Sequence, residues 1–296
     1  MKEQYRKVKT MVEPKTVMEG AGVKLRRSLG GEALNYLDPF LLFDHFGSRH
    51  AEDYRAGFPM HPHRGIETVT YMLSGEVEHR DTLGNAGKIG AGDVQWMTAG
   101  GGILHEEMPL VRPEGNEGFQ LWVNLPAKLK MTKPRYQDIS AEKIPEVTLN
   151  SGASVRVIAG SVEGTEGAVR DIAANPTYLD VKVPASGSFV HPIPEGHSAF
   201  LYVFEGNGTI QDGDKEENVS SPAFIVLDEG NMLKVAAHDK PVRFLLIAAK
   251  PLHEPIARYG PFVMNTQAEI QQALHDLKNG TFIWSEGGTH AGSVSS

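Results

Sequence analysis

The sequence predicts an all-β fold of two similar, tandem β-barrel domains with a short C-terminal helix, and three observations carry that prediction. Short β-branched and aromatic runs recur between turn residues, as in sandwiches and barrels. The pattern of these runs repeats once along the chain. Only one stretch, near the end, has convincing helical spacing.

In chain order, "DPFLLFDHFG" (38–47) is apolar enough for an N-terminal strand. "ETVTYMLSG" (67–75), "GDVQWMTAG" (92–100) and "FQLWVNL" (119–125) follow, then "AFLYVFEG" (199–206), "AFIVLDEG" (223–230) and "VRFLLIAA" (242–249). Each combines strand-forming residues with a flanking turn or breaker. At an offset of 131, Tyr71 falls on Tyr202, Gly75 on Gly206, Val94 on Ile225 and Trp96 on Leu227. A duplicated β-domain explains that register. The expected organisation is a metal-binding barrel over 1–130, a linker over 131–140, and a second, degenerate barrel with the terminal helix over 141–296. The linker rests on "KMTKPRYQDIS", poor in apolar residues and holding Pro134. In "NTQAEIQQALHDLKNG" (265–280), Asn265 or Thr266 caps a helix with Ile270, Ala273, Leu274 and Leu277 on one side, ending at Gly280.

Composition narrows the function classes. Among 296 residues there is no cysteine, so disulfides, thiolate-bound zinc and a cysteine nucleophile are excluded. A net charge of -8 argues against a broad phosphate-binding face and hence against direct nucleic-acid binding. No run approaches the roughly 18 apolar residues of a membrane span. The basic start "MKEQYRKVKT" lacks a signal sequence's apolar core, and with the absence of cysteine this points to a cytoplasmic protein. A monomer is expected, with the helix covering a sheet of its own chain.

Histidine, aspartate and glutamate therefore remain as ligands. In "MHPHRGIET" (60–68) alternation along an extended segment points His61 and His63 the same way, with Pro62 opposite. "GILHEEMP" (102–109) sets His105 and Glu107 in the same relation, and Glu106 faces away. Gly100, Gly101 and Gly102 form a bend that delivers His105, since no Lys-Ser or Lys-Thr follows to make a phosphate loop. Three imidazoles and a carboxylate suit one divalent transition metal, Fe(II), Mn, Ni, Cu, Co or Zn, with coordination positions left open. Adding 131 puts Pro192, Pro194, Ala236 and His238 at these four positions, so the copy is expected to lack the ligand set. His191, His197 and His238 form at most an improvised second site.

The stretch from "GFPMHPHRGIETVTYMLSG" through "GGGILHEEMP", with "GFQLWVNLPAKLKMTKPRYQ" and "YGPFVMNT", resembles the signature of the pirin family within the cupin superfamily. The resemblance covers most of the chain and is densest in its first half. It implies a bicupin of jelly-roll barrels, with one metal, usually iron, held by His61, His63, His105 and Glu107 in the first. It also implies quercetin 2,3-dioxygenase activity for some members and transcriptional co-regulation for others. Glu106 departs from the small residue usual there.

The leading expectation is thus an oxidoreductase that opens a flavonol with dioxygen, Glu107 serving as ligand and as base. The alternative is a metal-dependent regulatory protein that acts through a protein partner without turnover. An apolar cavity reaching the metal favours the first. Trp96, Met97 and Trp122 are candidates to line it, each with a packing role as the plain alternative. His79 and Asp81 either orient a ligand or form a solvated strand end. Asp44 and His45 lie on a strand that is expected to be structural.

Overall fold

The computed structural model describes residues 3–212 and 215–285, which form two compact units, neither contiguous in sequence. The histidine unit comprises Thr16–Tyr36, Phe40–Ala141 and Leu252–Ser296; the second comprises Met1–Lys15, Leu37–Pro39 and Glu142–Pro251. Within 131–140, Arg135–Ile139 is an edge strand paired antiparallel with Val94–Thr98, so this stretch is built into the histidine unit.

The histidine unit has a seven-stranded and a four-stranded sheet. The larger runs Arg135–Ile139, Val94–Thr98, Ile66–Ser74, Asn116–Asn124, Phe40–Ser48, Val23–Leu29, Lys15–Glu19. The smaller runs Phe58–His63, Ile103–Pro109, Glu76–Asp81, Ala86–Gly90. They face one another: Met72 of the larger packs with Val77 and Ile89 of the smaller. Thr70 of the larger donates a 3.0 Å hydrogen bond to Glu107 of the smaller. The "DPFLLFDHFG" segment is the strand Phe40–Ser48, an interior member of the larger sheet.

The sheets do not close, and the expected barrels are corrected to open, facing sheets with free edges. A barrel needs one ladder continuous around its circumference. Here the chain changes sheet at Gly75, whose φ of +76° ends the strand Ile66–Ser74 and begins Glu76–Asp81. A Cβ there would lie 2.5 Å from the Gly115 carbonyl oxygen, so only glycine allows this turn.

The second unit meets the same corner differently. Gly206 also has positive φ, but the strand Ser198–Gln211 runs through it, with register shifts on either side. Bulges bend a strand without ending it. One branched nine-stranded sheet results, its main path ending at Val8–Val12 and Glu146–Thr148. Val155, Val157, Leu179, Val181, Leu201, Val203, Phe244 and Leu246 share its core at the spacing of two that strands impose. Each such side chain contributes about 1.5–3 kcal/mol by burial.

The register is that of a duplication, with corrections to the single offset. Tyr71 pairs with Val94, and Tyr202 with Phe224 rather than Ile225. The amide of Asp81 donates to Asn85, whereas that of Asp212 donates to Lys215, one residue sooner. Beyond the next strand the drift grows: Glu107 pairs with His79, and Val235 with Ile210. His105 pairs with His61 as Leu233 pairs with His191. The counterparts of His61, His63, His105 and Glu107 are therefore His191, Ile193, Leu233 and Val235, because turns lose single residues while strands keep their pairing.

The helix spans Gln267–Lys278. Thr266 accepts from the Glu269 amide, and the Glu269 side chain accepts from the Thr266 amide, a reciprocal cap typical of helix starts. Ile270 and Ala273 are buried as the spacing predicts, but Leu277 is exposed. Asp276 is buried instead, because Arg64 reaches it at 2.7 Å. Among the described residues no helix is long and apolar enough to cross a membrane.

Candidate metal centre

The antiparallel pairing of Phe58–His63 with Ile103–Pro109 sets His105 directly opposite His61. Strand alternation turns His63 to the same side, and the three rings converge with centroids 4.5, 4.8 and 5.0 Å apart. One ligand nitrogen from each lies within 4.8 Å of the others, and among the described residues no other group of three or more ligand-type side chains is so arranged. The glycine bend delivers His105 as expected: Gly100 and Gly102 have positive φ, and a Cβ on Gly100 would strike the Thr132 carbonyl.

The nitrogens fit a cation. Nδ1 of His63 and both nitrogens of His105 are buried without a hydrogen-bond partner. Leaving such groups unsatisfied costs about 1–3 kcal/mol each, a cost that a bound metal removes for one nitrogen of each ring. His61 Nδ1 lies 2.9 Å from the Pro59 carbonyl, which fixes it as the N–H donor and leaves Nε2 for the metal. Burial, reinforced by the neighbouring histidines, holds His63 and His105 well below the ordinary imidazole pKa, in the neutral form that ligation requires.

Glu107 lies outside the tight group of three. A register shift separates it from His105, and its carboxylate accepts a 3.0 Å hydrogen bond from Thr70, whose hydroxyl oxygen also lies 2.9 Å from the Gln120 side-chain amide. It lines the same cavity as His61 and His63. Glu106 turns away and pairs with Arg80. His79 is no solvated strand end; it is buried and stacked on Tyr136 at 5.6 Å. Asp81 caps its turn through the amides of Leu83 and Asn85.

The cavity has a volume of about 530 Å³ and is walled by Leu25, Leu42, Phe46, Phe58 and Trp122. Trp122 stands edge-on to His63 with centroids 5.1 Å apart. Trp96 and Met97 are buried elsewhere, Met97 in the cluster of Ile66 and Ile103. Asp44 reaches the cavity, whereas His45 bonds Glu117 and lies tilted against Phe119. Sequence spacing did not find Glu19, Arg27 and Arg258, which come from distant segments and meet only in the folded cavity.

Residues 22–123 match the family described as Pirin, and residues 178–283 match the Pirin C-terminal cupin domain. The chain belongs to the pirin family. It is 44% identical to the pirin of Homo sapiens over 93% of this chain and 93% of that one. A pirin-like protein of Caulobacter vibrioides is 42% identical over 94% of this chain and 99% of its own. Among solved structures, a quercetin 2,3-dioxygenase from Acinetobacter baumannii superposes with a TM-score of 0.83 at 36% identity, covering 94% of this chain and 98% of that one.

In the second unit the equivalent positions are His191, Leu233 and Val235 on paired strands and Ile193 just beyond the strand end. His191 stacks on Phe189 at 5.7 Å, and burial alone lowers its pKa to about 4. His191 and His197 line one cavity of this unit, without His238.

Proposed function

We propose that this pirin is a metal-dependent dioxygenase of the quercetin 2,3-dioxygenase type, using iron(II) to open a flavonol-like enediol. The observation that carries it is a cluster of three imidazoles, two of which, His61 and His63, line an apolar, aromatic cavity. The similarity to a quercetin 2,3-dioxygenase across nearly the whole chain supports it. A cavity that reaches the rings is also what favours turnover over a purely regulatory role.

His61, His63 and His105 would hold the metal, with Glu107 as the fourth ligand. When bound, the metal supplies Lewis-acid and redox chemistry for reaction of an enediol with dioxygen. Trp122, Phe46 and Phe58 bind the flat rings and exclude water from the reacting end. Glu107 accepts the proton of the substrate hydroxyl at a carboxylate oxygen. Thr70, itself held by Gln120, orients that carboxylate.

Anaerobic reconstitution with Fe(II), followed by addition of quercetin and oxygen, is expected to give oxygen uptake matched to loss of flavonol absorbance. Absence of uptake with Fe, Mn, Ni, Cu, Co and Zn in turn would remove the dioxygenase reading.

A further inference from the structure

The two cations of the cavity wall are held differently. Arg27 is fully engaged: Nε and Nη2 donate to the two carboxylate oxygens of Asp44 at 2.9 and 2.8 Å, and Nη1 donates to Glu19 at 2.6 Å. Arg258 comes from the short hairpin Ala257–Tyr259 and Phe262–Met264 and reaches the cavity over the face of Trp122, its Cζ 5.3 Å from a ring centroid. It donates to the carbonyls of Leu41 and Gly260, each at a long 3.3 Å. Among the described residues no carboxylate comes within ion-pair distance of it.

A half-buried guanidinium loses much of its hydration, stays charged, and is best compensated by an anionic oxygen. Burial and the neighbouring Arg27 disfavour its charge, Asp44 and Glu19 offset this only in part, and the short contacts of both carboxylates go to Arg27. Trp122 links the two ends of the cavity, edge-on to His63 on one side and under Arg258 on the other. An aromatic ligand against Trp122 with its reacting end at the imidazoles therefore directs its far end towards the one guanidinium that has strong donors to spare.

We infer that Arg258 determines substrate specificity by binding an acidic oxygen, phenolate or carboxylate, at the end of the aromatic substrate remote from the reacting enediol. This rests on the proposed dioxygenase reading and extends it to a substrate class: polyphenolic or acidic enediols rather than unsubstituted ones. Arg258 acts through charge and geometry, so lysine replaces it only in part, having no planar fork.

The test uses full-length, Fe(II)-loaded protein and two flavonols of the same skeleton: quercetin, with remote hydroxyls, and 3-hydroxyflavone, without them. In Arg258→Met the KM for quercetin is expected to rise about tenfold, the size of one lost charged hydrogen bond, and that for 3-hydroxyflavone less than threefold. Arg258→Lys recovers part of the loss. Equal changes for both flavonols, or none for either, overturn the inference. Dissociation constants for both ligands from tryptophan fluorescence quenching, taken without oxygen, report the same contrast without turnover. Wild-type protein that binds quercetin through Arg258 but consumes no oxygen thus defeats the dioxygenase reading alone. Should Arg258→Met not fold, Arg258→Lys and Arg258→Gln carry the comparison.

Discussion

The strand pairs Phe58–His63 with Ile103–Pro109 and Ser188–Pro192 with the start of Met232–Ala249 are the same device built twice. In the histidine unit the facing positions carry three imidazoles, of which His63 and His105 have buried nitrogens without a hydrogen-bond partner. In the second unit two of those three are Ile193 and Leu233, and the remaining ring, His191, packs on Phe189. A buried polar cluster is tolerable where a ligand satisfies it, and an aliphatic one is self-sufficient. The difference teaches that the fold does not require these histidines: one copy uses the positions for packing and the other holds them for a metal.

Exchange of the two sets breaks the comparison most directly. His63→Ile with His105→Leu, which writes the second unit's residues into the first, is expected to weaken metal binding by more than about 100-fold, beyond the 10- to 100-fold typical of losing a supporting partner. Metal analysis after dialysis measures it, and retention of one equivalent would show that the site lies elsewhere. The reverse exchange, Ile193→His with Leu233→His beside the native His191, destabilises the metal-free protein by several kcal/mol through buried unsatisfied imidazoles. Added metal is expected to restore part of that in thermal melts and to raise the stoichiometry towards two. A melt insensitive to metal would mean that converging positions alone do not make a site.

The smallest effect sharpens the comparison through pH. His191 titrates near 4 when folded, below its ordinary 6.5, because burial disfavours the charged form. The unfolded chain therefore binds more protons between those values, so this residue's share of stability is complete above about pH 6.5 and declines as pH falls to about 4. Replacing it by leucine should flatten that window by roughly 1–3 kcal/mol. Urea denaturation of both proteins at pH 7 and pH 4.5 checks this; identical pH dependence would show that His191 is hydrated in the folded state.

The strands, the terminal helix and the shared facing of His61 and His63 were legible because each is written in short-range spacing. Alternation is a property of two or three residues, as is the cap at Thr266. Closure was not legible, since whether a chain breaks at Gly75 or bends through Gly206 depends on what packs around two glycines with nearly the same dihedral. A single offset failed for the same reason at Asp212, where a shortened turn shifts everything downstream while leaving each ladder intact. Asp276 replaced Leu277 on the buried side because its partner, Arg64, lies 212 residues away. Arg258 likewise acquires meaning only beside Trp122.

The interleaved membership of the two units bears on how the protein is made. Arg64, adjacent to His63, has its buried carboxylate partner Asp276 and its carbonyl partner Phe282 in chain made 212 and 218 residues later. Lys130, which donates to Gly65 and Asn124, takes its third acceptor from the carbonyl of Val263. Until those residues emerge, the cradle behind the imidazoles holds a buried guanidinium without its carboxylate, so a nascent chain is slow to acquire its ion. A gene fragment ending near residue 140 would carry every presumptive ligand and still be a poor chelator.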